Sequence, residues 1–296
     1  MSTEPVLLKF ALPKGRMQES VTALLAEAGV KVKVGERSYR PTISIPAMDT
    51  KILKPQNIIE MLHHGTRDFG IAGADWVAEL QADIVEVADL GLDAVRIVTA
   101  APKQYLVEGK LPLPGGKFQG RPLRIVGEME RLAKQWIEKN GIDAEFIRSY
   151  GTTEVFPPED GDCIVDIVQS GDTLRANNLE IFDVLMHSTT RIYASKAAWA
   201  DPAKRSRIEE FVVVLKSVLD ARKRVMMELN VAAKNLEGVV ALLPSMGAPT
   251  IANLHHGAGY AVKAAIPRDK VVPLLPKLKA AGASDIVTYS LSQIVA

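Results

Sequence analysis

Short apolar runs alternate with amphipathic stretches along most of the chain. Residues 6–12 predict a buried strand that ends at Pro13. Met17, Val21, Leu24 and Leu25 recur at helical spacing over 17–28, and Gly29 closes that helix. Residues 42–45 predict a strand. A helix over 55–64 opens with Pro55 in its first turn, turns Ile58, Ile59 and Leu62 inward and stops at Gly65. Residues 69–72 predict a strand followed by a short helix from Asp75, and 95–100 predict another strand. Strands alternating with helices indicate a parallel or mixed α/β sheet.

The pattern breaks at 102–122, which holds Pro102, Pro112, Pro114, Pro122, Gly109, Gly115, Gly116 and Gly120. Such a stretch is a crossing loop or a domain boundary. Strands are then predicted at 123–126, 144–147 and 163–168, with a helix over 129–140 closed by Gly141. Residues 181–185 and 191–194 suggest two more strands. Asp201 and Pro202 open a long helix with one apolar stripe of Ile208, Phe211, Val212, Leu215, Val218 and Leu219. Its basic residues Lys204, Arg205, Arg207 and Lys216 lie mostly off that stripe, as on a solvated face.

Beyond residue 220 the order is strand at 225–229, helix over 236–243, strands at 249–254 and 260–266, helix over 271–278 closed by Gly282, and strand at 285–289. That is βαββαβ, the split ferredoxin-like arrangement. Pro273 and Pro276 are expected to strain or kink its second helix.

A length of 296 residues suits two domains or three small ones. Lys plus Arg is 36 against 35 Asp plus Glu, so no surface is built wholesale for nucleic acid or an acidic membrane, although a local anion site is compatible. The single Cys163 excludes an internal disulfide and a Cys-based zinc cluster, and its apolar run predicts a buried, inert thiol. Residues 1–5 lack a basic, then apolar leader, and no apolar stretch approaches 18 residues, so a cytoplasmic protein is expected.

Two segments could carry chemistry. In 162–177 an apolar strand runs into a small, polar turn and a helix start, with Ser170, Gly171 and Thr173 able to approach a phosphate. The turn is either such a cradle or an ordinary capped turn, and Asp172 would oppose an anion unless it points outward. Asp166 ends the strand beside it, where a carboxylate could hold ribose hydroxyls or magnesium-bound water. In the second segment, Lys14 and Arg16 flank Gly15 just after the first strand, the usual ligand side of an open α/β sheet. His63, His64, His187, His255 and His256 have no metal-ligand spacing.

These motifs resemble those of ATP phosphoribosyltransferase in its long form, the first enzyme of histidine biosynthesis. The likeness is carried by Phe10-Ala11-Leu12-Pro13-Lys14-Gly15-Arg16, Lys54-Pro55-Gln56-Asn57-Ile58, Asp68-Phe69-Gly70-Ile71-Ala72-Gly73-Ala74-Asp75, residues 162–179, and Val239 to Pro244 with Ala248-Pro249-Thr250. It spans nearly the whole chain in order. The resemblance implies a two-lobed, periplasmic-binding-protein-like α/β core plus a C-terminal ferredoxin-like regulatory domain. It implies transfer of the phosphoribosyl group of phosphoribosyl pyrophosphate to N1 of the adenine of ATP, with Mg2+ and pyrophosphate release. Feedback inhibition by histidine, a homo-oligomer (dimer to hexamer) and no separate regulatory subunit are further implications.

By the same resemblance Lys14, Arg16 and Asp166 are catalytic. Asp166, Gln169, Ser170, Gly171, Asp172, Thr173 and Leu174 hold phosphoribosyl pyrophosphate, and Lys14, Gly15, Arg16, Lys54, Gly73 and Glu154 hold ATP. Lys54 and Asn57 stand where the family often has Arg and Asp, and Glu128-Met129-Glu130-Arg131 differs from its usual basic and aromatic stretch. Residues 1–101 with 185–219 are expected to form one lobe and 102–184 the other, with no single sheet through both, and 220–296 the regulatory domain. The absence of a His or Cys nucleophile is no objection. A neutral adenine nitrogen needs no strong base, and catalysis can rest on alignment and on stabilising the departing pyrophosphate. A solute-binding or sensor protein on the same core, or a catalytically silent relative, are the rival readings.

Overall fold

The computed structural model describes residues 5–35 and 38–295; the leader reading at 1–4 lies outside them. Two compact units emerge, Met1–Thr22 with Val32–Ile208, and Ala23–Lys31 with Glu209–Ala296.

The first unit is built from β1 (Leu8–Pro13), α1 (Arg16–Glu27, which runs on into the second unit), β2 (Val32–Lys33), β3 (Thr42–Ile43), β4 (Met48–Leu53), α2 (Pro55–His63), β5 (Phe69–Gly73) and α3 (Ala74–Leu80). It continues with β6 (Val85–Pro102), β7 (Leu123–Gly127), α4 (Glu130–Lys139), β8 (Ala144–Arg148), β9 (Cys163–Val168), α5 (Asp172–Ala176), β10 (Leu179–Ala194), α6 (Lys196–Ala200) and the start of α7 (Pro202–Arg222). Elements form where the pattern demands them. In α2, Pro55 fills the first turn and Ile58, Ile59 and Leu62 are buried. Burying each such side chain is worth about 1.5–3 kcal/mol. In α7, Asp201 Oδ1 accepts from Ala203 N at 2.9 Å. The basic residues of α7 are not all merely solvated: Lys204 pairs with Asp68 at 2.8 Å, and Arg207 donates to the carbonyl of Pro46 at 2.6 Å.

Eight strands form one sheet in the order β4-β1-β5-β10-β6-β9-β7-β8. β4, β1 and β5 run parallel, as do β9, β7 and β8. Between the two triplets lie β10 and β6, antiparallel to each other and to their outer neighbours. β6 and β10 are 18 and 16 residues long and pair with each other along their length, while β10 also pairs with the first triplet through β5 and β6 with the second through β9. Thr190 to Ala194 pair with β5, while Arg96 to Ala100 pair with β9. Register shifts at Ser188/Thr190 and Thr190/Arg191, with positive φ at Gly91 and Asp93, mark the crossover.

This corrects the expectation of separate sheets. One hydrogen-bonded ladder runs through both halves, and the 181–185 and 191–194 runs are one strand. The expected limits at 101/102 and 184/185 fall inside β6 and β10. Bulges let a long strand change direction without breaking the ladder, so two lobes can share it. Each half keeps its own packing: Ala11, Ile58, Ile59, Leu62, Ala72 and Tyr193 in the first lobe, and Ile97, Leu123, Ile125, Ala133, Trp136 and Cys163 among others in the second. The 102–122 stretch contributes turns and Leu111 and Phe118 to the second core.

The second unit holds β11 (Arg224–Val231), α8 (Leu236–Leu242), β12 (Thr250–Asn253), β13 (Tyr260–Pro267), α9 (Val271–Ala280) and β14 (Ala283–Ser290). Its sheet order β12-β13-β11-β14, with every neighbour antiparallel, is the ferredoxin-like split arrangement. Val225, Met227, Leu229, Val262, Ile266, Leu274 and Leu278 form its core. α9 runs unbroken through both prolines. Pro273 sits in the first turn, where no N–H is needed, and the carbonyl that Pro276 leaves unpaired belongs to Val272, itself 79% exposed and open to water.

Candidate active site

Parallel strands β1, β4 and β5 end on one edge of the sheet, so the turns that follow them meet there. They line a cleft of about 500 Å³. One wall carries Lys14, Gly15, Arg16 and Met17 after β1, Lys54, Pro55 and Gln56 at the start of α2, and Asp75 and Trp76 in α3. The other carries Glu128 after β7 and Ile167 in β9. Gly15 has φ +85° and lets the chain turn sharply from β1 into α1. Lys14 Nζ donates to Tyr39 Oη at 2.9 Å and lies 4.5 Å over the Tyr39 ring. That ammonium holds the Tyr39 phenol below its usual range, first through the hydrogen bond and then through its charge. Lys54 precedes α2 as its N-cap and makes no side-chain cap bond.

Gly73 does not line the cleft but shapes it. A Cβ there would sit 2.0 Å from Asp75 Oδ1. Asp75 is 3% exposed; Ser188 Oγ donates to its Oδ1 at 2.8 Å and accepts from its backbone N–H at 3.0 Å. Glycine at 73 therefore allows this closed pair at the start of α3.

Asp166 lies on β9 beside Ile167. Its Oδ1 accepts from Ile167 N at 2.7 Å. Burial pushes its carboxyl up to about 6 against that bond, and the charges of Glu154 and Glu128 push the same way. Three carboxylates thus face one region of the second lobe. Downstream, Ser170 Oγ donates to Asp172 Oδ2 at 2.5 Å, and Arg175 pairs with the same carboxylate. The Ser170 hydrogen bond, then Arg175, hold Asp172 below the usual carboxylate range. Its charge is spent within the turn, which answers the objection that it would repel an anion.

Gln169, Ser170, Asp172 and Thr173 are exposed; Gly171, at φ +78°, and Leu174 are buried. Gly171 and Leu174 line a neighbouring cavity of about 500 Å³ with Lys103 and Arg175. The fold therefore gathers Lys14, Gly15, Arg16 and Lys54 in one cleft, with Asp166 beside it. Gln169 to Leu174 follow directly on β9, and Glu154 reaches the site through its field on Asp166. Gln56, Asp75, Trp76 and Glu128 also line the cleft, although the sequence does not mark them as site residues. The available clue is position: Gln56 and Asp75 lie within the quoted motifs, Trp76 directly follows one, and Glu128 directly follows β7.

A cation-lined cleft between two α/β lobes, a glycine turn beside a half-buried carboxylate, and a ferredoxin-like unit together define a protein built to hold phosphorylated small molecules. A family model for ATP phosphoribosyltransferase matches residues 54–217, and one for the C-terminal domain of that family matches residues 221–293. The chain is similar to ATP phosphoribosyltransferases from Pelotomaculum thermopropionicum (36% identical, covering 97% of this chain and 99% of the relative) and Desulforudis audaxviator (35%, with the same coverage). It is also similar to a solved chain from the ATP phosphoribosyl transferase (HisG:HisZ) complex of Thermotoga maritima, at TM-score 0.61 and 26% identity, covering 72% of this chain and 99% of that one. The chain belongs to the ATP phosphoribosyltransferase family, a family of pentosyl-transferring enzymes, in its long form with the additional C-terminal domain.

Proposed function

We propose that the cleft joins ATP to phosphoribosyl pyrophosphate, the first step of histidine biosynthesis. The adenine N1 lone pair forms a bond to the ribose anomeric carbon, the bond from that carbon to the pyrophosphate oxygen breaks, and pyrophosphate leaves with the electron pair. The observation that carries this reading is the pairing of opposites across one site. Lys14, Arg16 and Lys54 line one wall, and the Asp166 carboxylate with the Gly171 turn lies on the other lobe. Lys14, Arg16 and Lys54 would bind the triphosphate and the charge developing on the leaving group. Asp166 would hold ribose hydroxyls, and the 169–174 turn the 5′-phosphate, with Thr173 donating a hydroxyl.

No group of three or more His, Cys, Asp or Glu among the described residues is placed to hold a metal by itself. Mg2+ usually keeps several waters and takes substrate phosphates as ligands, so a few carboxylates suffice. Glu128 and Glu154 fit that outer role. When bound, Mg2+ would neutralise pyrophosphate charge. The test is to mix the protein with ATP, phosphoribosyl pyrophosphate and Mg2+. Stoichiometric pyrophosphate and a new nucleotide absorbance are expected; neither appearing, with ATP still bound, would favour a silent sensor.

Histidine is the proposed inhibitor, acting through the C-terminal unit. The Thermotoga relative was solved as a HisG:HisZ complex, whereas this chain carries a C-terminal domain of its own, which supports a homo-oligomer without a separate regulatory subunit. No helix among the described residues is long and apolar enough to cross a membrane, and the cytoplasm suits a biosynthetic enzyme.

A further inference from the structure

Glu79, near the end of α3, is 7% exposed although it is a carboxylate. Its two oxygens accept from the backbone N–H groups of Arg131 and Leu132, both at 3.0 Å. Those amides belong to the first turn of α4, which has no side-chain cap of its own; Met129 occupies the cap position. The first N–H groups of a helix have no partner within it, and the helix end favours negative charge. α3 belongs to the first lobe and α4 to the second. Glu79 is thus a cap supplied across the lobes, 52 residues away in sequence.

Both partners of this bond carry cleft residues. α3 presents Asp75 and Trp76, and Glu128 immediately precedes the capped turn of α4. Trp76 packs against the cores of both lobes, and Asp75 is tied to Ser188 on β10. α3 is therefore held at its start by a crossing strand and at its end by the opposite lobe. From this geometry we propose that Glu79 is a positioning residue, fixing the spacing of the two cleft walls by capping α4 while touching no substrate itself.

The inference rests on the reaction proposed above, in which cations of one lobe hold ATP and the turn of the other holds phosphoribosyl pyrophosphate. Each substrate alone then needs one wall, and only their alignment needs both. In Glu79→Ala, kcat per folded enzyme should fall about tenfold to a hundredfold, as misplacement by about 1 Å does. The dissociation constants of ATP alone and of phosphoribosyl pyrophosphate alone should stay within about twofold. Glu79→Gln keeps one acceptor oxygen and should fall between wild type and Glu79→Ala. In wild-type protein, amide hydrogen exchange at Arg131 and Leu132 should be slow, unlike a normal uncapped first turn, and should quicken in Glu79→Gln. Unchanged kcat per folded molecule, a loss traced wholly to one substrate's binding, or fast exchange at both amides in wild type would overturn the proposal. If wild type forms no phosphoribosyl-ATP at all, it is the reaction that fails; exchange at the two amides then still decides whether the cap exists.

Discussion

Replacing Asp166 by Asn should stabilise the protein and cripple it. Partial burial, and then the charges of Glu154 and Glu128, push the native carboxyl up to about 6 from the ordinary 3.8. A rise of that size corresponds to about 3 kcal/mol, at 1.36 kcal/mol per pH unit. Between pH 4 and 6 the folded chain binds a proton that the unfolded chain has released, so stability falls as pH rises through that window. Above it, the folded state carries the full burden of an ionised, half-buried Asp166. Asn is neutral at every pH and keeps an oxygen to accept from Ile167 N, so the variant escapes that burden. Urea unfolding followed by tryptophan fluorescence reports on the right region, since Trp76, Trp136 and Trp199 all lie in the first unit. The variant should exceed wild type by up to about 3 kcal/mol at pH 8, and the gap should close by pH 4. Its kcat/KM for phosphoribosyl pyrophosphate should collapse over the same alkaline range. A variant no more stable than wild type at pH 8, or a gap that ignores pH, would refute the reasoning about burial. Retained activity would remove Asp166 from the site.

Thr173→Val should raise the KM for phosphoribosyl pyrophosphate about tenfold or more and leave the ATP requirement unchanged, because a hydrogen bond to a charged group is worth about 1.5–3 kcal/mol; unchanged kinetics would take the turn out of the site. Asp162 is 1% exposed and holds Arg121 with two bonds of 2.7 Å. Burial pushes its carboxyl up, but Arg121 and the Arg124 N–H outweigh that and hold it low, so its contribution is present above the ordinary carboxylate range and lost as pH falls through its depressed value. Asp162→Ala should cost about 3 kcal/mol near neutrality, the low end for breaking a buried pair because Arg121 stays partly exposed, and much less in acid. Histidine, if it couples to the cleft by about 1–3 kcal/mol, must weaken substrate binding by the same factor by which substrate weakens histidine binding, a reciprocity that calorimetry of the full chain can check.

What was legible in the sequence was what local physics decides. α2 was bounded by Pro55 and Gly65, and β9 by an apolar run that ends in a polar turn. The ferredoxin-like unit was legible because Val225, Met227 and Leu229, and Val262, Ala264 and Ile266, recur at every second position on one buried face of its sheet. β4 escaped notice. Its charged Asp49 and Lys51 alternate with Thr50 and Ile52, which alone are buried, as on an edge strand. β6 and β10 were read as fragments because the crossover itself is polar. Gly91, Asp93, Ser188 and Thr190 interrupt the apolar pattern between the stretch of β6 that also pairs with β9 and the stretch of β10 that also pairs with β5. Of the proposed site residues, Lys14 and Arg16 read as charges just beyond a strand's end, whereas Asp166, expected to end its strand, lies within β9, which runs on to Val168. Glu79 was not legible, since its meaning lies in two amides of another lobe that no sequence pattern marks.

The unoptimised charges in the cleft share a physical logic. Arg16 is the first residue of α1, and Lys54 is the N-cap of α2, so both cations stand at the positive end of a helix dipole. Taken alone, each placement costs about 0.3–1 kcal/mol. No ion pair with a described acidic residue offsets either one, and across the cleft Asp166 is held in a site that resists its charge. A folded chain selected only for stability would cap α2 with Ser or Asp and keep a neutral residue at 166. On the proposed reaction both strains would relax when the substrates bind. Polyphosphate oxygens would meet the cations and the free helix N–H groups together, and sugar hydroxyls would hydrogen-bond the half-buried carboxylate. The same arrangement explains why Lys54 can stand where the family often carries Arg. At a helix N-terminus the backbone N–H groups already supply directed donors, so a point charge can supply attraction without the bidentate fork.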